Sequence, residues 1–87
     1  MTFEKTIIIN NDFGLHARPA SDIVKIAKSF DSDISLYDQD KIADCKSVLS
    51  ILLLGATKNT KLILKCTGND AEIACKKLLN YMETNNI

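Results

Sequence analysis

Gly14-Leu15-His16-Ala17-Arg18-Pro19-Ala20 joins two stretches of different periodicity and contains the only His, the only Arg and the only Pro of the chain. Before it, Thr6-Ile7-Ile8-Ile9 reads as a β-strand. After it, Ala20, Ile23, Val24, Ala27 and Phe30 fall at i, i+3, i+4, i+7 and i+10, one apolar stripe of an amphipathic helix over 17–29. Pro19 suits a first helical turn, where its missing N–H would lack an intrahelical partner anyway. Gly14 supplies the backbone freedom for a sharp strand-to-helix turn. This reading puts His16 immediately ahead of a helix N-terminus, with Arg18 in the first turn.

That placement has chemical content. The first N–H groups of a helix have no internal partners, and the macrodipole adds partial positive charge, so an anion such as phosphate is favoured there. Arg18 adds a charge-assisted donor suited to phosphate oxygens. A neutral imidazole is a nucleophile, and histidine's ordinary titration range leaves much of it neutral near pH 7. The pattern points to a histidine that accepts a phosphoryl group while Ala17, Arg18 and the helix end hold the oxygens. The plainer alternative is an exposed histidine that merely caps the helix.

Composition narrows the remaining classes. The 87 residues make one small domain, 1–87, and 46% apolar content marks it as globular rather than disordered. Eleven basic and eleven acidic residues cancel, with no basic block, so nucleic-acid binding has no electrostatic footprint. No apolar run approaches the ~20 residues of a membrane span. Met1-Thr2-Phe3-Glu4-Lys5 lacks the order of a signal peptide, which leads to the expectation of a cytoplasmic protein without membrane insertion. Cys45, Cys66 and Cys75 show no C-x-x-C pair and sit at apolar phases of their elements, so buried thiols are expected, with no metal and no cofactor.

In order, the chain predicts a strand over 3–10 with Ile7 and Ile9 inward, then the helix. Strands over 33–37 (Ile34, Leu36 inward) and 41–45 (Ala43, Cys45 inward) follow, joined by a hairpin at Gln39-Asp40 in which Asp40 is the residue suited to a left-handed backbone. Ser47 caps a short helix to Leu54 that is apolar almost all round. A helix that short cannot bury every face, so part of Val48, Leu49 and Leu52 is expected at the surface, unless the helix inserts deeper into the core. A strand over 61–67 has Leu62, Leu64 and Cys66 inward. Asn69 with Glu72 resembles a capping box for a last helix to about Glu83, with 84–87 fraying. The order β-α-β-β-α-β-α with one apolar face per strand predicts an α+β fold, an antiparallel sheet with its helices on one face.

Two stretches carry a family resemblance. Gly14-Leu15-His16-Ala17-Arg18-Pro19-Ala20 resembles the active-site signature of the HPr family, the histidine-containing phosphocarriers of the bacterial sugar phosphotransferase system. Lys46-Ser47-Val48-Leu49-Ser50-Ile51-Leu52-Leu53-Leu54-Gly55 is similar to the family's Lys-Ser-apolar segment ending in Leu-Gly, at the family's spacing. The resemblance implies an open-faced β-sandwich, a four-stranded antiparallel sheet in the order 1-4-2-3 with three helices on one face. It also implies a monomeric carrier, not an enzyme, that relays a phosphoryl group from Enzyme I to EIIA proteins through Nδ1 of His16, with Arg18 assisting and no metal or cofactor.

By the same resemblance, Ala20, Val48, Leu49 and Leu52 dock partners, and Lys25 and Lys28 meet acidic partner surfaces, against their reading as plainly solvated lysines. Ser47 is the matching site for an HPr kinase/phosphorylase, against its reading as a plain N-cap. Phe13 stands before Gly14 where relatives often have a small polar residue; Ser50 and Leu53 also depart from the family pattern. Two other readings stay open: a carrier of a regulatory, nitrogen-type phosphotransferase chain, and a non-phosphorylated α+β ligand or interaction domain whose apolar helix forms a dimer interface.

Overall fold

Strand alternation decides the architecture. In the computed structural model, which describes residues 1–85 and 87, the elements are β1 (Thr2–Ile8), α1 (Ala17–Ala27), β2 (Asp33–Asp38), β3 (Lys41–Asp44), α2 (Val48–Leu53), β4 (Lys61–Thr67) and α3 (Ala71–Thr84). The sheet has the order β1-β4-β2-β3 and every pairing is antiparallel. Register sets the inward row: Ile7 lies opposite Leu62, Leu36 is flanked by Leu64 and Ala43, and Ile34 faces Cys66. All of these are buried and form one core with Ile23, Val24 and Ala27 of α1, Ile51 of α2, and Ala74, Cys75 and Leu78 of α3. The opposite face of the sheet stays open, with Ile8, Ile42 and Ile63 exposed. One covered and one solvated face is the expected α+β, open-faced arrangement.

The element boundaries shift from expectation where the ladder or the turn runs out. β1 stops at Ile8, and Ile9 continues by donating to Thr60 and accepting from Asn59, which keeps its side chain buried. α1 ends at Ala27 because Ser29 Oγ and Ser29 N–H both turn back onto Ile26 O. In the β2–β3 hairpin, Gln39 rather than Asp40 takes the left-handed backbone, at φ +57°.

The capping box at Asn69 does not form. Asp70 is the N-cap residue of α3, and its side chain serves another segment: Asp31 N–H and Ser32 N–H donate to its carboxylate at 2.8 and 2.9 Å, joined by Ser32 Oγ. Gly68 makes this approach possible, since a Cβ there would meet Ser32.

The end of the chain does not fray as expected either. Asn85 N–H and Asn85 Nδ2 both donate to Tyr81 O, and Ile87 donates to Met82 O and is buried against the core. Within that expected frayed stretch, Asn86 lies outside the described residues.

All three thiols are free and buried, as expected, and burial pushes the Cys45 and Cys66 thiols up to about 12. Among the described residues no helix is long and apolar enough to cross a membrane, and no cluster of His, Cys, Asp or Glu could hold a metal ion.

Candidate functional site

The sharp turn ahead of α1 is built by Gly14. Its backbone sits at φ +68°, and a Cβ there would lie 2.3 Å from the Ala56 carbonyl oxygen. Only a glycine lets the loop after α2 approach this closely. That approach is clamped, because Leu15 N–H donates to Ala56 O at 3.0 Å and the Leu15 side chain is buried. The next residue, His16, is therefore carried to the surface rim, half-buried, as the N-cap of α1 with extended backbone.

His16 O accepts the first helical bond from Ala20 N–H. Its side chain makes no capping bond, no acidic residue stands in the first turn, and Pro19 has no N–H to offer. The free donors of the helix end are thus the N–H groups of Ala17 and Arg18, both exposed residues, and Arg18 lines the same hollow as His16. A phosphoryl group on the imidazole would meet a positive helix end, two amides and one guanidinium, all open to solvent.

Further neighbours complete the surroundings, of which only Phe13 was singled out by the sequence. A hollow of about 270 Å³ is lined by His16, Arg18, Pro19, Asp22, Tyr81 and Asn85, among others. Tyr81 OH donates to Asp22 Oδ2 at 2.7 Å, tying α3 to the first turns of α1. Desolvation and the Asp22 carboxylate push the Tyr81 phenol up to about 12, against the opposing pull of Arg18. On the other flank the Phe13 ring stands edge-to-face with His16, centroids 6.0 Å apart at 81°. Phe13 and Asp22 are near His16 in the chain, whereas Tyr81 and Asn85 come from the far end of it, and no local periodicity signals those two.

The residues expected to dock partners divide. Ala20 is fully buried against the core and offers no surface; the first turn buries Pro19 and Ala20 because that stripe faces the sheet. On α2, Leu49 is 65% exposed, while Val48 and Leu52 are half-buried against the core. Leu53, also 73% exposed, is the member that sequence reasoning missed; its i+4 spacing from Leu49 was the available signal. The helix rotates Ile51 and Leu54 inward, so the alternative of complete insertion is not realised.

Lys25 and Lys28 are exposed at the far end of α1. At 1.5 Å per residue they lie roughly 14–18 Å beyond His16, outside phosphate reach. Ser47 is the N-cap of α2, its Oγ accepting from Ser50 N–H at 3.2 Å, while Ser50 Oγ accepts from Asp44 N–H at 2.8 Å. Lys46 Nζ donates to Phe30 O, which fastens the start of α2 to the end of α1.

Sheet order, helix placement and a histidine leading the first helix define an open-faced α+β sandwich of the phosphocarrier type. The family model described as the PTS HPr component phosphorylation site matches residues 3–84, and the chain belongs to the HPr family, the phosphocarriers of the phosphotransferase system. It is 41% identical over 80 residues to the phosphocarrier protein HPr of Buchnera aphidicola subsp. Schizaphis graminum, covering 92% of this chain and 94% of that one. Among solved structures it is similar to the histidine-containing phosphocarrier protein of Mycoplasma, with a TM-score of 0.93 at 31% identity over 98% of each chain. It is also similar to an HPr of Thermoanaerobacter tengcongensis, with a TM-score of 0.89 at 38% identity over 94% of this chain and 92% of that one.

Proposed function

We propose that residues 1–87 form one monomeric cytoplasmic carrier that takes a phosphoryl group from phosphohistidine on Enzyme I and passes it to a histidine of an EIIA protein, through His16. The observation that carries this is the placement of His16 as N-cap of α1, with its side chain making no capping bond and the Ala17 and Arg18 N–H groups beside it. In the transfer, the lone pair of His16 Nδ1 attacks phosphorus as the donor's P–N bond breaks, and that bonding pair returns to the donor ring. The second transfer repeats the step with His16 as leaving group. Charge on the transferring oxygens is met by the two amides and Arg18. Because these donors are few and solvent-accessible, they hold the group without trapping it, which suits a relay.

Partner docking is assigned to the exposed face of α2, Leu49 and Leu53 with the half-buried Val48 and Leu52, flanked by Lys25 and Lys28. Ser47 is the proposed regulatory site for an HPr kinase/phosphorylase. A phosphate there adds about two negative charges beside that face and opposes docking. Its present bond to Ser50 N–H would have to be remade by a phosphate oxygen.

Incubation with phosphoenolpyruvate and Enzyme I tests the carrier role. The chain is expected to gain one phosphoryl group, seen by intact mass, and His16→Ala to gain none. A His16→Ala chain that still takes up label refutes the assignment.

A further inference from the structure

We propose that Phe13 is a positioning residue for the transfer, holding the His16 imidazole from one side and keeping water off that flank of the phosphoryl group. This rests on the reading of His16 as the phosphoryl carrier and adds a residue to it.

Phe13 is 83% exposed, yet its position is fixed from both ends of its loop. Asn11 Oδ1 accepts from Phe13 N–H at 2.7 Å, and Asn11 O accepts from Gly14 N–H at 3.1 Å. The preceding Asp12 is paired with Lys58 at 2.7 Å, and the following Gly14 is pressed against Ala56 O. A loop held this way delivers the ring to one place, and that place is the edge-to-face contact with His16, centroids 6.0 Å apart at 81°. The geometry lies within the roughly 4.5–7 Å range in which aromatic pairs attract beyond their buried area.

The physical need for such a neighbour is specific to this site. The cradle is open to solvent, so the same phosphorus that a partner histidine attacks is reachable by water. In hydrolysis a water oxygen bonds to phosphorus, the P–N bond breaks with its pair going to the His16 nitrogen, and inorganic phosphate leaves. In-line attack by either nucleophile requires a defined imidazole orientation. Arg18 and the helix amides flank the α1 side, whereas Phe13 stands on the loop side, where an apolar ring removes one approach for water without adding a donor that would hold the phosphate more tightly.

The test phosphorylates the wild-type chain, Phe13→Ala, Phe13→Leu and Phe13→Tyr with phosphoenolpyruvate and Enzyme I. Each phosphoprotein is then isolated, and phosphohistidine loss is followed by phosphorus NMR, alongside the thermal midpoint and the rate of phosphorylation against Enzyme I concentration. Phe13→Ala is expected to keep the wild-type midpoint but lose its phosphoryl group about fivefold faster, the size of a mid-range aromatic contact read as a rate. Phe13→Tyr is expected to restore the lifetime and Phe13→Leu to restore it in part. An unchanged lifetime in Phe13→Ala overturns the proposal. So does a defect confined to apparent affinity for Enzyme I, which makes the ring a docking anchor instead. If the wild-type chain takes up no phosphoryl group, the carrier reading falls and this proposal falls with it.

Discussion

Gly14→Ala gives the sharpest test of how the site is built. An L-residue at φ +68° carries a left-handed backbone cost of about 1–2 kcal/mol. The new Cβ would also lie 2.3 Å from Ala56 O and 3.0 Å from Thr57 Cα. The first distance is about 1 Å short of the roughly 3.5 Å at which non-bonded heavy atoms settle. Backbone at 56–57 must therefore move away, and the Leu15 N–H to Ala56 O bond, 3.0 Å long, stretches or breaks. Losing that bond adds about 0.5–1.5 kcal/mol.

Together the effects come to about 1.5–3.5 kcal/mol, and at about 4–8 °C per kcal/mol for a domain of this size the thermal midpoint falls by about 6–28 °C. Urea unfolding is the second readout; its midpoint is expected to drop with the slope unchanged. Because the strained Leu15 N–H to Ala56 O bond immediately precedes His16, phosphorylation by Enzyme I is expected to slow even at temperatures where the variant is fully folded. A Gly14→Ala protein with a midpoint within about 2 °C of wild type, well inside the shift worked above, would show that this contact does not set the loop.

Arg18→Ala is expected to fold with an unchanged midpoint, since the side chain is exposed, but to transfer more slowly by about 100-fold, the lower end of what removing one preorganised transition-state donor costs; equal stopped-flow transfer rates would reduce Arg18 to a surface residue. Ser47→Ala removes the α2 cap and is expected to cost about 1 kcal/mol in urea unfolding, whereas Ser47→Asp, itself a good cap, keeps the stability but weakens binding to Enzyme I in titration calorimetry. Undiminished binding by Ser47→Asp would count against charge regulation there. Ser32 Oγ, with the Asp31 and Ser32 amides, holds the Asp70 carboxyl below its ordinary value of 3.8. A lowered folded-state value stabilises above the ordinary value and loses that stabilisation as pH falls through the folded one. Asp70→Asn is therefore expected to flatten the fall in stability below pH 3.8, and identical acid-unfolding profiles would refute the clasp.

What was legible in the sequence follows from local rules. A strand of period two and a helix of period 3.6 can be recognised from the residues alone, so Ile34, Leu36, Leu62, Leu64 and the stripe of α1 were assigned to the core correctly. The same holds for the N-cap position of His16, because Gly14 and Pro19 constrain the backbone on either side whatever the chain packs against. The sheet order was legible only through resemblance, since alternation names the inward face of a strand and says nothing about its neighbour.

Tertiary structure decided the rest. Asp70 could cap its own helix or reach Ser32, and packing of the β4–α3 turn against the segment before β2 chose the second. The apolar residues of α2 were indistinguishable as a list; the angle at which the helix meets β3 and α1 turned Ile51 and Leu54 in and left Leu49 and Leu53 out. Ala20 looked available because it belongs to the signature, yet its stripe faces the sheet. His16 came with its place in the sequence, and Phe13 and Asp22 stand close to it along the chain, but Tyr81 joined its surroundings only once α3 closed against α1, because that contact depends on where elements meet in space and not on any interval along the chain.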